Sequence, residues 1–330
     1  DLIGDIHGHA DELVALLVQL GYREEGGTFR HPDFPRRVAV FVGDFLDRGP
    51  KILETVRLVR AMLEAGTALS VLGNHEWNAF AYHLEDPAEP GSHLRPHDPN
   101  DRNGLKNLKQ HERTLNQIPA DELANHLTFF RKLPIRLDLG EIRVVHACWD
   151  DEAFAVIDAA LLLHGGCTDA FLVDAWKKGT PLFAAIDIVL KGKEMDLPEG
   201  ACFVDKDGHR RCAARVRWFE SPEGHNASTY TLPLFQDIKR HAALPVPEVV
   251  RATARPYPPD APPVFFGHYW LDDESPTSLG PNVVCLDYSV AKGGFLCAYR
   301  WGSNQADSAR GSAPLIDEGR FVSLAARKSR

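Results

Sequence analysis

The sequence is poor in the features that mark several classes of protein. No apolar run approaches the roughly 20 residues that a membrane-spanning helix needs, and no internal repeat is present. Acidic residues outnumber basic ones by 46 to 37, and the formal net charge is −9. This charge and the lack of a basic stripe studded with aromatic residues argue against a nucleic-acid-binding protein.

Cysteine pairs with the spacing of metal or redox motifs are also missing. The chain has six cysteines and no C-x-x-C pair: Cys148, Cys167, Cys202, Cys212, Cys285 and Cys297. This spacing argues against a zinc ribbon and against a thioredoxin-type motif. In a chain of 330 residues we therefore expect reduced thiols and a cytoplasmic protein.

What the sequence does contain is a strand, a polar turn and a helix, three times in succession. Apolar runs at 1–3, 38–42 and 68–72 predict the strands, and apolar residues at helical spacing follow each turn. This alternation predicts a βαβαβ unit with parallel strands. In such sheets ligands collect outside the carboxyl ends of the strands, where all three polar turns fall.

The remaining chain is less regular. We expect a single domain over 1–330, with a loop excursion at 86–116, a cap-like insertion at 150–250 and a poorly determined tail at 302–330. Between these segments, short β-type runs end in His146 and His268.

Side chains able to bind metals follow five predicted strands. They are Asp5, His7, Asp44, Asn74, His146 and His268. This mixture of nitrogen and oxygen donors suits Mn, Fe or Zn better than Ca. Two metals bridged by one carboxylate can clamp a phosphoryl group and lower the pKa of a bound water toward neutrality. The pattern therefore predicts a dinuclear metal centre.

Three motifs carry a resemblance to a known family. Gly4-Asp5-x-His7-Gly8, Gly43-Asp44-x-x-Asp47-Arg48-Gly49 and Gly73-Asn74-His75-Glu76 resemble the signature motifs of the calcineurin-like metallophosphoesterases. They match the phosphoprotein phosphatase branch, which includes bacterial diadenosine tetraphosphatases. The resemblance covers roughly residues 1–80, 129–149 and 263–301. It implies an α/β fold of four αββα layers, in which two mixed β-sheets pack face to face.

The resemblance also implies roles for individual residues. Asp5, His7 and Asp44 would bind one divalent metal, most readily Mn, and Asp44 would bridge to a second. The second metal would also be held by Asn74, His146 and His268. A metal-bound hydroxide would attack phosphorus. His75 would be the general acid and Asp47 its hydrogen-bond partner, while Arg48 and Asn74 would hold phosphate oxygens.

The histidine that would bind the second metal together with His268 has two candidates in the sequence. The usual family motif there is His-Gly-Gly, which matches His164-Gly165-Gly166. Yet His164 follows an Ala/Leu run that favours helix, whereas His146 follows the β-type run at 142–145. Because the other ligands follow strands, the sequence favours His146.

A second phosphate-facing arginine is left open. Arg215 and Arg217, beside Trp218, are both candidates, and both could instead pair with Asp205 and Asp207. Ten further histidines are expected at the surface: His9, His31, His83, His93, His97, His111, His126, His209, His225 and His241.

Taken together, these patterns predict a phosphoester hydrolase. The favoured interpretation is a phosphatase of the serine/threonine protein phosphatase type, acting on a phosphorylated protein or a small phosphoester. The alternative is hydrolysis of dinucleoside polyphosphates. A non-catalytic binding module of the same fold should have lost a ligand or the acid, and Asp5, Asp44 and His75 are all present.

Overall fold

The computed structural model describes residues 1–197, 202–204, 210–232, 244–302 and 315–326. The helices in these ranges are α1 (Ala10–Gln19), α2 (Ile52–Glu64), α3 (Asn74–Tyr82), α4 (Arg102–Gln117), α5 (Ala120–Phe130), α6 (Asp151–His164), α7 (Asp169–Ala175), α8 (Pro181–Lys191) and α9 (Glu248–Thr253). The strands are β1 (Leu2–Ile3), β2 (Arg23–Glu25), β3 (Thr28–Arg30), β4 (Ala39–Phe41), β5 (Ala68–Ser70), β6 (Arg136–Asp138), β7 (Arg143–Val145), β8 (Glu194–Asp196), β9 (Phe203–Val204), β10 (Arg210–Arg211), β11 (Ala213–Arg215), β12 (Val264–Phe266), β13 (Val283–Cys285), β14 (Asp287–Tyr288), β15 (Phe295–Tyr299) and β16 (Phe321–Ala325).

Two mixed sheets form the centre of the molecule. In the first, β1, β4 and β5 are parallel, and β15 runs antiparallel to β1, β14 and β16. In the second, β13, β12 and β7 are parallel and β6 is antiparallel to β7. The predicted parallel βαβαβ unit is therefore present as β1-α1-β4-α2-β5.

The sheets pack face to face between layers of helices. Phe265 of β12 contacts Tyr299 of β15, with ring centroids 5.2 Å apart. The backbones also approach closely, because a Cβ added at Gly4 would lie 2.0 Å from the carbonyl oxygen of Leu286. The helices α1 and α2 contact the first sheet, and α6 is joined to β6 by ion pairing of Arg136 with Asp158. The predicted α/β fold of two mixed sheets is confirmed.

The loop excursion expected at 86–116 is in part a helix. Its second half forms α4, whose N-cap Asp101 accepts a hydrogen bond of 2.7 Å from the amide of Gly104. The buried residues of α4 are Gly104, His111 and Thr114. Its apolar residues are few, and prolines and glycine precede it at 87–99, which is why the sequence prediction treated the whole segment as a loop.

The expectation of reduced thiols is wrong for one pair of cysteines. Cys202 and Cys212 form a disulfide. The strands β9 and β10 pair antiparallel with Phe203 opposite Arg211, which brings the two flanking cysteines together. The other four cysteines are free.

The expected tail contains a strand. Within 302–330, residues 315–326 are described, and β16 pairs along the whole of β15. In the part of the chain that the structure describes, no helix is both long and apolar enough to span a membrane. The division into a single domain with a cap-like insertion stays a prediction.

Candidate functional site

The polar side chains that follow five central strands meet at one place between the two sheets. Asp5 and His7 follow β1, Asp44 follows β4 and Asn74 begins α3 after β5. From the second sheet, His146 follows β7 and His268 follows β12. All six residues are buried. The structure thus brings together the full set of side chains that the sequence analysis named as metal ligands.

Asp44 lies at the centre of this cluster. One of its oxygens, Oδ2, is 3.5 Å from His7 Nε2, and the other, Oδ1, is 3.5 Å from His146 Nε2. The Asn74 oxygen lies 2.9 Å from His146 Nε2 and 2.7 Å from His268 Nδ1. Within the described chain, two groups of potential ligands share Asp44: His7, Asp44 and His75, and Asp44, His146 and His268. A carboxylate shared by two groups is the arrangement that a bridging ligand requires.

Backbone hydrogen bonds orient the histidines. The Nδ1 of His7 lies 3.0 Å from the carbonyl oxygen of Leu46, and the Nδ1 of His146 lies 2.7 Å from that of Val42. A carbonyl oxygen accepts only, so each Nδ1 carries the proton and each Nε2 presents a lone pair to the cluster.

The donor atoms fit divalent metals. Asp5 Oδ1, His7 Nε2 and His268 Nε2 are buried and have no hydrogen-bond partner among the described residues. A buried polar atom without a partner costs free energy, which coordination of a cation would offset. The residues present therefore fit a metal centre with nitrogen and oxygen ligands.

The electrostatics of the cluster favour the same conclusion. Burial, followed by the negative charges of Asp287 and Asp44, raises the pKa of Asp5 well above its usual value. Burial and the neighbouring His75 lower the pKa of His7 to about 3, so this imidazole is neutral at physiological pH. Burial and the charge of Arg215 lower the pKa of His268. Neutral imidazoles and crowded carboxylates are the forms that bind metal cations.

Left-handed backbone conformations concentrate at this site. Seven non-glycine residues of the described chain have positive φ, and five of them are His7, Asp44, Asp47, Arg48 and His268. Such conformations cost free energy for residues with a Cβ and cluster at functional sites. The buried carboxylate of Glu76 helps to hold them, because it accepts hydrogen bonds from the amides of Asp44, Phe45 and Leu46.

His75 lies beside the cluster and is held by Asp47. Its Nδ1 is 2.6 Å from Asp47 Oδ2, and its Nε2 is 3.9 Å from Asp44 Oδ2. A histidine whose Nδ1 is bonded to a carboxylate keeps its Nε2 available for proton transfer toward the cluster.

A cleft of about 650 Å³ opens over the cluster. Asn74, His75 and His268 line this cleft together with four arginines: Arg48, Arg95, Arg211 and Arg215. The guanidinium of Arg48 stacks on Trp270, 4.0 Å from the ring centroid. Arg217, the other candidate from the sequence, does not line the cleft and pairs instead with Glu220, at 2.7 Å and 2.8 Å. The alternative partners Asp205 and Asp207 lie outside the described residues.

The family model for calcineurin-like phosphoesterases matches residues 1–182, more than half of the chain. The chain belongs to this family. Residues of its three motifs meet at the Asp44 cluster, and Arg48, Asn74 and His75 of the second and third motifs line the cleft. The family match agrees with the buried histidine and aspartate groups that could bind metal.

Two curated relatives of the chain share one name. This chain is 51% identical over 82 residues to the bis(5'-nucleosyl)-tetraphosphatase PrpE (asymmetrical) of Halalkalibacterium halodurans. The match covers 25% of this chain and 32% of that protein. The chain is 28% identical over 148 residues to the protein of the same name in Oceanobacillus iheyensis, which covers 44% and 54%. The chain thus matches about half or less of the length of these relatives.

A solved structure is similar over a longer range. A protein serine/threonine phosphatase from Saccharomyces cerevisiae covers 100% of this chain and 79% of its own, with 12% identity and a TM-score of 0.46.

His164 lies away from the cluster of this phosphoesterase. It ends α6 and is 2.9 Å from Asp174 Oδ2 in an ion pair. The structure therefore places the His-Gly-Gly string outside the site, and His146 inside it.

Sequence reasoning missed several residues around the site. His111 was expected at the surface, yet it is buried and its Nδ1 lies 2.8 Å from Asp47 Oδ1. His126 is also buried, so the surface expectation is wrong for both; His209 and His241 lie outside the described residues. Thr114 donates a hydrogen bond of 2.6 Å to the same Asp47 oxygen. No sequence signal pointed to His111 or Thr114, because both lie on α4, which the sequence did not predict.

Proposed function

We propose that this phosphoesterase hydrolyses dinucleoside polyphosphates at a dinuclear metal centre. The observation that carries the proposal is the cleft over the Asp44 cluster, which is lined by four arginines: Arg48, Arg95, Arg211 and Arg215. Its volume of about 650 Å³ is that of a small-molecule pocket. The names of the curated relatives support the same substrate class. A phosphoprotein, the substrate that the sequence favoured, becomes the second candidate.

The proposed ligands are those that follow the strands. Asp5, His7 and Asp44 would hold one divalent metal; Asp44, Asn74, His146 and His268 would hold the other. We expect both metals to be Mn. When bound, they would neutralise the charge on phosphoryl oxygens and lower the pKa of a water.

The chain's own residues then have separate tasks. Arg48, Asn74 and Arg215 bind oxygens of the reacting phosphate and fix its orientation. Asp47 holds the His75 ring through its Nδ1, so that Nε2 faces the leaving oxygen and can give it a proton. Arg217 takes no part, because it is paired with Glu220.

The test is a comparison of substrates with Mn²⁺. We expect diadenosine tetraphosphate to be hydrolysed with a higher kcat/KM than serine or threonine phosphopeptides. The reverse order would favour the phosphoprotein candidate. Absence of any Mn²⁺-stimulated hydrolysis, including that of p-nitrophenyl phosphate, would favour a non-catalytic binding module.

The choice between the two histidines gives a further prediction. His146→Ala should remove the second metal and abolish turnover, because its Nε2 faces Asp44 and Asn74. His164→Ala should keep both metals and the full rate. Metal content by mass spectrometry and turnover of p-nitrophenyl phosphate measure the two effects. Loss of metal in the His164 variant alone would overturn the assignment.

A further inference from the structure

Arg95 lines the cleft but has no role in the reaction proposed above. It precedes α4, and its backbone amide donates a hydrogen bond to the carbonyl oxygen of Ala81. Its Nε donates to Asn107 Oδ1 at 3.0 Å, and its NH2 group donates to Gln110 Oε1 at 2.7 Å. Both partners are neutral amides. Among the described residues, no carboxylate forms an ion pair with Arg95.

The fixed positive charge of Arg95 favours binding of an anion in the cleft. Burial lowers the pKa of Arg95 to about 10, an effect that the nearby negative charge of Asp47 opposes in part, and the guanidinium stays charged at neutral pH. The two amide oxygens fix its planar group without neutralising it. A fixed guanidinium that lines a cleft and lacks a carboxylate is suited to bind a phosphate or carboxylate from outside.

The position of Arg95 tells which part of a substrate it would meet. Gln110 joins it to the general acid, since Gln110 Nε2 lies 3.5 Å from His75 Nε2. His75 Nε2 is the atom that faces the leaving oxygen. Arg95 therefore lies on the side of the leaving group, beyond the metal ligands, whereas Arg48 and Arg215 approach from other elements of the cleft.

We propose that Arg95 binds a phosphate of the leaving group, adjacent to the phosphorus that reacts, so that the cleft prefers phosphoanhydrides to phosphomonoesters. This inference rests on the function proposed above and adds the residue that selects the substrate. The leaving group of a phosphoserine is the serine hydroxyl, which carries no phosphate and so offers Arg95 no anion.

The reaction is balanced without a further reagent. The oxygen of a water forms a bond to the reacting phosphorus, and the bond from that phosphorus to the bridging oxygen breaks. The electron pair of the broken bond stays on the bridging oxygen. This oxygen becomes part of the departing phosphate and takes the proton from His75. The proton that the water loses passes to solvent, and solvent returns a proton to His75. Arg95 stabilises the charge that develops on the departing phosphate.

The kinetic test compares two substrates in one variant. Arg95→Gln should lower kcat/KM for diadenosine tetraphosphate about 10- to 100-fold, the effect of one charge-assisted hydrogen-bonded contact. With p-nitrophenyl phosphate, whose leaving group has no phosphate, the loss should be about 3-fold or less. The matched control is Arg57→Gln, because Arg57 is exposed and paired with Glu122. Equal losses on the two substrates would show that Arg95 only supports the fold, and would overturn the proposal.

A binding measurement keeps the test independent of turnover. In a His75→Asn background, ADP should bind more tightly than AMP by calorimetry, and adding Arg95→Gln should remove most of the difference. An unchanged preference for ADP contradicts the assignment. The two hypotheses fail differently: if the parent enzyme hydrolyses p-nitrophenyl phosphate but shows no preference for ADP, the Arg95 inference fails alone. If no hydrolysis occurs, the proposed function fails.

Discussion

The two carboxylate oxygens of Asp47 contact two histidines that come from different helices. Its Oδ2 contacts the Nδ1 of His75, and its Oδ1 contacts the Nδ1 of His111. The Thr114 hydroxyl donates a hydrogen bond to Oδ1 and accepts one from the Asp47 amide. Burial opposes the charge, but the hydrogen bonds and charges of His111 and His75 hold the pKa of Asp47 well below its usual value. Asp47 is therefore an anion that orients the His75 ring.

Replacing either aspartate of the second motif should separate metal binding from proton transfer. Asp44→Asn should lose metal and activity together, because Asp44 lies between both groups of ligands. Asp47→Asn should keep the metals and lower kcat about 10²- to 10⁴-fold, the usual contribution of a general acid. Metal analysis and steady-state kinetics on the same preparations measure both. Metal loss in the Asp47 variant would show that the division of roles is wrong.

His111 should act on the reaction through Asp47, as a positioning residue. His111→Asn removes one of the groups that hold the carboxylate, so we expect kcat to fall about 10-fold on substrates with poor leaving groups. KM, metal content and the rate with a good leaving group such as p-nitrophenolate should change little. His126→Asn is the matched control, because His126 is also buried but contacts Glu122. Equal losses on good and poor leaving groups would indicate a purely structural role.

The sequence reveals some site residues more readily than others. Asp5, Asp44 and Asn74 each follow an apolar strand directly, so a periodicity argument locates them at the carboxyl edge of a sheet. His111 and Arg95 come from a segment with scarce apolar residues. Their positions depend on tertiary contacts with Asp47 and with Asn107 and Gln110, which have no local pattern.

At the scale of elements, α4 supplies much of what distinguishes this cleft. It contributes Asn107, Gln110 and His111 to the neighbourhood of His75. Farther along, Gln117 donates to the carbonyl of Gly49 and accepts from the amide of Ile52, which ties α4 to the start of α2. A helix with a polar buried face can be stable because its polar groups are satisfied by partners on another element. Sequence patterns that count apolar residues do not detect such a helix.

The disulfide should stabilise one wall of the cleft. Phe203, Arg211 and Arg215 line the cleft, and Cys202 and Cys212 join their strands. Closing a loop with a sequence separation of 10 contributes about 2–3 kcal/mol in the chain-entropy description. The double variant Cys202→Ser/Cys212→Ser should therefore have a lower Tm, a raised KM for diadenosine tetraphosphate and unchanged metal content.

Calorimetry and steady-state kinetics measure these effects. Cys167→Ser is the control, because this cysteine is free and does not line the cleft. Lower stability with an unchanged KM would mean that the disulfide supports the fold without shaping the cleft.

At the scale of the whole molecule, the site exists because two parallel sets of strands end at the same place. The sequence could predict the first set, since β1, β4 and β5 follow one another with helices between them. It could not locate β7 and β12 in a second sheet, because more than 100 residues separate these two neighbouring strands. The contact between the sheets, and with it the approach of His146 to Asp44, depends on close backbone packing at residues such as Gly4 and Gly267.

This dependence means that the metals should stabilise the fold as well as the reaction. Without a cation, burial and then the negative charges of Asp287 and Asp44 raise the pKa of the Asp5 carboxyl group. Mn²⁺ at 100 times its dissociation constant would add about 2.7 kcal/mol to the free energy of unfolding. For a chain of 330 residues this raises Tm by roughly 4 °C. Scanning calorimetry of chelator-treated protein, with and without added Mn²⁺, measures the shift.

Two variants distinguish a specific effect of the centre from general ion binding. Asp44→Asn should abolish the rise in Tm, whereas Asp47→Asn should keep it, because only Asp44 belongs to both groups of ligands. If both variants respond to Mn²⁺ as the parent protein does, the cation binds elsewhere. If the parent protein shows no shift at all, the six residues at the ends of the strands do not form a metal centre, and their unpartnered atoms require another explanation.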